Sequence, residues 1–90
     1  VGRDPALVRP WVDSGLAQVG RALVLAPKDA DALELRGNLR YWSWLVGLEA
    51  DPARNRALLD SARADLERAT QIAPRQAGAW ASLSHLYNQT

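Results

Sequence analysis

The sequence predicts an all-α chain of about four antiparallel helices arranged as stacked pairs, and three observations carry that expectation. Alanine and arginine, both strong helix formers, are abundant, and β-branched residues are few. Apolar residues recur at helical spacing between boundaries marked by proline. Most informative, the sequence repeats itself. Shifted by 47 residues, Asp4-Pro5-Ala6 falls on Asp51-Pro52-Ala53, Arg9 on Arg56, and Asp13-Ser14 on Asp60-Ser61. Further along, Arg21-Ala22 meets Arg68-Ala69, Ala26-Pro27 meets Ala73-Pro74, Ala30 and Ala32 meet Ala77 and Ala79, and Leu39 meets Leu86, with no gap. A fixed period of this kind implies a stacked architecture.

Each unit opens on Asp-Pro. Aspartate suits the N-cap, and proline suits the first helical position, where its missing N–H costs nothing. The first helix is expected over about residues 5–25, with Pro10 making its start irregular. Val8, Val12, Leu16 (or Gly15), Val19 and Leu23 form its apolar stripe. Ala26-Pro27 stops it. The second helix is expected over about residues 29–46, with Asp29 and Asp31 as capping and dipole-stabilising acids. Leu33, Gly37, Tyr41, Trp44 and Leu48 form one stripe on it, and Leu35, Leu39, Trp42 and Val46 a second. A helix apolar on two sides is expected to be packed on two sides. The third, over about residues 52–72, carries Leu58, Ala62, Leu66, Ala69 and Ile72 inward. Its outer face carries Arg56, Asp60, Arg63 and Glu67 at ion-pair spacing. The fourth spans about residues 76–88. Links at residues 26–28, 47–51 and 73–75 are short enough to make neighbours antiparallel.

Composition bounds the function. Ninety residues make one small domain. Cysteine is absent, which excludes a disulfide framework and thiolate metal sites, and His85 alone cannot supply a histidine-rich one. Net charge is +1 with the signs interspersed, so no basic footprint for nucleic acid or for an anionic membrane is present. The longest apolar stretch, residues 41–48, is far short of the roughly 20 residues a bilayer span requires. The N-terminus lacks the regions of a signal peptide, and a cytoplasmic location is expected. The sequence does not begin with Met and is expected to be a piece of a longer protein. Arginine far outnumbers the single lysine, Lys28, which points to a bacterial, GC-rich source.

Specific residues then carry a resemblance. The fourth helix reads Trp80-x2-Leu83-Ser84-x2-Tyr87, and the third reads Ala62-x3-Leu66-x2-Ala69-x4-Pro74. The first reads Gly15-x3-Val19-x2-Ala22-x4-Pro27, and in the second Leu33 and Arg36-Gly37 take corresponding places. These resemble the tetratricopeptide repeat family, whose signature is W-x2-L-G-x2-Y in one helix, then A-x3-F and a terminating proline in the next. Small residues (Ala22, Gly37, Ala62, Ala69, Ser84) would let axes approach, and large ones (Leu33, Leu66, Trp80, Tyr87) would fill the space between turns. The resemblance implies an α-solenoid. Residues 1–90 would form a single segment of it: the second helix of one repeat (5–25), a full repeat (29–72), and the first helix of a further repeat (76–88). There are two departures. The period is 47 rather than 34, leaving about 13 extra residues per unit, expected around residues 44–50 and 52–58. And Arg40 stands where the family usually has an aromatic, with Tyr41 one residue later.

No constellation suggests catalysis. Asp60 with Ser61 and Ser84 with His85 are helix neighbours in sequence, which do not face each other. Asp29 and Asp31 lack the Gly-centred calcium loop, and the glycines form no phosphate-binding pattern. The expectation is no enzyme, no metal and no cofactor. Tyr41, Trp42 and Trp44 are open between core and partner contact, with Trp44 assigned to the core and Trp11 to the core or a stack contact. The resemblance implies that first helices of successive repeats line a concave binding groove. On helical geometry Asp31, Glu34, Asn38 and Trp42 lie along one line of the second helix and Ala81, His85 and Asn88 along one line of the fourth; with Tyr41, an aromatic able to anchor a partner, they are the candidate partner-binding residues. The function expected is a protein–protein interaction module docking a peptide or helix of a partner. The alternatives are self-association, with a homodimer through open ends of the stack, or a sensing and docking segment of a larger bacterial signalling protein such as a serine/threonine kinase or transcriptional regulator. Neither nucleic acid nor membrane is expected as a partner.

Overall fold

The computed structural model describes residues 5–89, with side chains from Leu7 onward. Four helices follow one another: α1 (Pro5–Leu25), α2 (Ala30–Leu45), α3 (Pro52–Ile72) and α4 (Ala77–Gln89). The 47-residue shift maps α1 onto α3 end for end, 21 residues each, and the start of α2 onto the start of α4. Each helix packs on the next in antiparallel order, and α2 also touches α4.

Local chemistry sets the boundaries. Asp29 caps α2, its side chain accepting from the Ala32 N–H at 3.2 Å, and Asp51 caps α3 by accepting from Ala53 N–H at 3.2 Å with Pro52 just inside. Asp4, the corresponding cap expected for α1, lies outside the described residues. The two Ala-Pro corners close alike: Asp29 N–H donates to Ala26 O at 3.1 Å, and Gln76 N–H to Ala73 O at 3.0 Å. The end of α2 is a Schellman turn. Gly47 takes φ 69°, Leu48 N–H donates to Ser43 O at 3.1 Å, and Gly47 N–H to Trp44 O at 3.2 Å. Glycine adopts that left-handed conformation without a Cβ penalty. Leu48 is buried in the link rather than on the helix, and Arg9 of α1 donates to its carbonyl at 2.6 Å. Helix α1 runs through Pro10 without a break. Pro10 is the sixth residue of α1, past the first turn, so the helix forgoes there the one hydrogen bond that a backbone N–H would make four residues back.

Two clusters make the core. One joins Val19 and Leu23 of α1, Ala32 and Leu33 of α2, Ala69 and the flanking Ile72 of α3, and Ala79 of α4. The other joins Tyr41 of α2, Leu59, Ala62 and Leu66 of α3, and Leu83 and Leu86 of α4, with Trp44 packed against it. Small residues act as spacers here: Ala62, Ala69 and Ala79 are wholly enclosed. Outside, Arg56, Asp60, Arg63 and Glu67 pair along α3 at 3.4–3.9 Å, as their spacing predicted. They are exposed enough to be weakly stabilising.

Several packing expectations need correction. Trp11 is no core residue, at 81% exposed. Trp80 and Tyr87 do not fill inter-turn space; each is half exposed, and Ala22 is exposed too. The second stripe of α2 is only partly covered. Leu39 lies against Gly15 of α1, where an added Cβ would fall 3.2 Å from Leu39 Cδ1, while Leu35 and Val46 stay open. The reason is common to all: no helix among the described residues packs on those faces. No helix of the described residues is long and apolar enough to cross a membrane.

Candidate functional site: the α2–α4 surface

The eight candidate binding residues come from α2 and α4, and the structure sets these two helices in contact. Two bridges span the seam. At one end Gln76 donates to Glu34 Oε1 at 2.7 Å. The Glu34 carboxylate lies close to the start of α4: a Cβ on Gly78 would fall 2.9 Å from Oε1, a contact that a small turn of the flexible Glu34 side chain relieves. At the other end the Tyr41 hydroxyl meets His85 Nδ1 at 2.5 Å, with the rings edge to face at 5.5 Å.

Tyr41 is therefore a core residue, and its assignment to a partner-binding surface is corrected. It is 7% exposed, stacks on Trp44 at 6.1 Å, and its hydroxyl is engaged by α4. Burial holds its phenol above the ordinary range. Sequence reasoning left Tyr41 open because the residue's depth depends on where α4 crosses α2. Trp44, assigned to the core, does pack against it.

The remaining candidates lie toward solvent. Asp31, Ala81, His85 and Asn88 are exposed; Glu34, Asn38 and Trp42 are half-buried. Along the same side of α2 run Leu35, Leu45 and Val46, exposed by 52%, 45% and 38%. With Trp42 they make an apolar strip at positions that share one helix face. The strip adjoins the polar seam formed by Glu34, Gln76, Tyr41 and His85. Chemically it offers apolar anchorage beside hydrogen-bonding groups on rigid helices.

One polar site escaped the sequence reading. Asp65 of α3, 5% exposed, accepts from Arg36 Nε at 2.9 Å and Nη2 at 2.8 Å, and from Arg40 Nη1 at 2.7 Å. The Asp65 hydrogen bond, opposed by desolvation, raises the Arg36 guanidinium above its usual value. This explains Arg40 where an aromatic was expected: the position faces a buried carboxylate. The legible signal was an acid on the inner side of α3 together with two arginines one turn apart on α2. A cleft of about 440 Å³ also opens between the end of α2, α3 and α4, lined by Trp44, Asn55, Arg56 and Arg63 among others. It lies apart from the predicted residues.

Compared with known proteins, the chain matches no family model, no curated protein and no solved structure.

Proposed function

We propose that this chain is a protein-interaction module of the tetratricopeptide-like, helix-pair kind, and that its α2–α4 surface docks a peptide or short helix of a partner protein. One observation carries the reading. Helix α2 is held by α1, α3 and α4, and yet Leu35, Leu45 and its C-cap Val46 stand exposed along it, with Trp42 half-buried among them. Apolar side chains clustered on a rigid face and rimmed by polar groups mark interaction surfaces. Spaced at i, i+7, i+10 and i+11, these side chains suit an amphipathic helix or an extended peptide with apolar anchors. The repeated small and large residues, and the Trp80-x2-Leu83-Ser84-x2-Tyr87 run, support the same family reading.

The test is selection of a displayed peptide library on the purified chain. Apolar-anchored sequences should emerge, and each should bind Trp42→Ala at least tenfold more weakly, the loss of one interface anchor worth about 2 kcal/mol. Failure to enrich any sequence, or binders indifferent to both Trp42→Ala and Leu35→Glu, would sink the proposal.

A further inference from the structure

The internal repeat relates interfaces as well as helices. Shifted by 47 residues, the α1–α2 pairing becomes the α3–α4 pairing, so these are one kind of contact made twice. The α2–α3 pairing is a second kind, made once among the described residues. Its α2 half is Leu33, Arg36, Gly37 and Arg40; its α3 half is Ala62, Asp65, Leu66 and Ala69. Each half has a shifted counterpart. The α2 half maps onto Trp80, Leu83, Ser84 and Tyr87 of α4, and the α3 half onto Gly15, Gln18, Val19 and Ala22 of α1.

Of these counterparts Leu83 and Val19 are buried in the chain's own core and Gly15 lies against Leu39, while the others edge the two faces that no helix among the described residues covers. On α4, Trp80, Ser84 and Tyr87 are exposed. On α1, Gln18 and Ala22 are exposed in line with Leu7, Trp11 and Leu25, which are 74%, 81% and 88% exposed. That stripe carries no charge. The substitutions across the repeat are also matched. Where Asp65 sits between Arg36 and Arg40, the shifted positions are Gln18, Leu83 and Tyr87. The buried carboxylate and both of its cations are replaced together. An α4 face set against an Asp65-type face would leave that acid unpaired, whereas against α1 it meets a neutral glutamine.

We infer that a second copy of this chain covers these faces head to tail: α4 of one copy lies on α1 of the next, as α2 lies on α3 within each copy. The joint is heterologous, so each addition leaves an identical pair of open faces and assembly continues beyond two copies. The inference is independent of the peptide-docking surface, and a null peptide selection leaves it standing.

Sedimentation equilibrium over a concentration series tests it. The mass-average should climb past that of a dimer as concentration rises. Trp11→Glu disrupts the α1 face at a solvent-exposed position, and Ser84→Glu disrupts the α4 face without touching the Trp80 bond to Pro74. Each variant, with helical circular dichroism unchanged, should raise the association midpoint at least about tenfold. Mixed in equal amounts, the two variants retain one intact joint between them and should form a dimer and nothing larger. A chain that stays monomeric throughout overturns the inference. So does a dimer that survives either substitution, or a mixture of the variants that remains monomeric.

Discussion

Gly37 of α2 lies directly against Leu66 of α3: a Cβ on Gly37 would fall 2.7 Å from Leu66 Cγ and 3.2 Å from the Ala62 carbonyl oxygen. Two effects compete on substitution. Alanine gains about 1 kcal/mol of helix propensity over glycine, while overpacking a tight core costs about 1–3 kcal/mol. The carbonyl cannot rotate away, so the clash should win, and Gly37→Ala should be destabilised by about 1–2 kcal/mol. Gly20 is the control. Nothing lies within 4 Å of its added Cβ, so Gly20→Ala should gain up to about 1 kcal/mol. Leu66→Ala alone should lose about 3–5 kcal/mol through its cavity, yet Leu66→Ala with Gly37→Ala should lose less than the two combined, because the new methyl enters the vacated space. Urea denaturation of the four variants checks this; additive losses would contradict the contact.

The Asp65 site should be intolerant of one-sided change. Asp65→Asn keeps the shape but leaves Arg36 and Arg40, about a quarter exposed, without a counter-charge. The expected loss is about 3 kcal/mol. Removing all three polar groups together, as Asp65→Leu with Arg36→Leu and Arg40→Met, should recover most of it, since an apolar replacement of a buried charge cluster is often neutral. Thermal melts of the single and triple variants decide; a triple variant less stable than Asp65→Asn would refute the account.

Alkaline pH should weaken the fold through Tyr41. Its phenol is held above its ordinary value of 10.0 by burial, so the folded state keeps the proton that the unfolded chain releases. Stability from this source is complete below about pH 10 and is lost as pH rises from there through the folded-state value. Tyr41→Phe should flatten the decline in melting temperature across that window. Tyr87, raised by burial and by its hydrogen bond to Glu67 but half exposed, should matter less, and Tyr87→Phe serves as the comparison. A decline as steep in Tyr41→Phe as in the parent would point to another group.

The helix boundaries were legible because they are local chemistry. Asp29 and Asp51 cap, Pro52 starts a helix, and Ala26-Pro27 and Ala73-Pro74 stop one, all through contacts within a few residues. The inward stripes of α1 and α3 followed from period alone, although Leu59 rather than Leu58 is the buried member of its pair. What failed was whatever depended on a third helix. Tyr41 is deep because α4 crosses it, and Trp11 and Trp80 are bare because none crosses them. Asp65 was overlooked because its partners sit 25 and 29 residues away, beyond any spacing rule for a single helix. Of the candidate surface, the pairing of α2 with α4 was legible; the engagement of Glu34 and Tyr41 across it was not.

Gly47 carries a consequence for how such a chain changes length. The corner it forms joins two hairpins that share one core, since both hydrophobic clusters draw residues from α2 and from the second hairpin, and Leu48 of the link is itself buried. Inserted or deleted residues there must leave α2 and α3 in their present register, because re-aiming one hairpin would part Gly37 from Leu66 and Asp65 from Arg36 and Arg40. Pitch is thereby tied to stability, and a change of length is tolerated at this corner only as an excursion that loops away from the shared core.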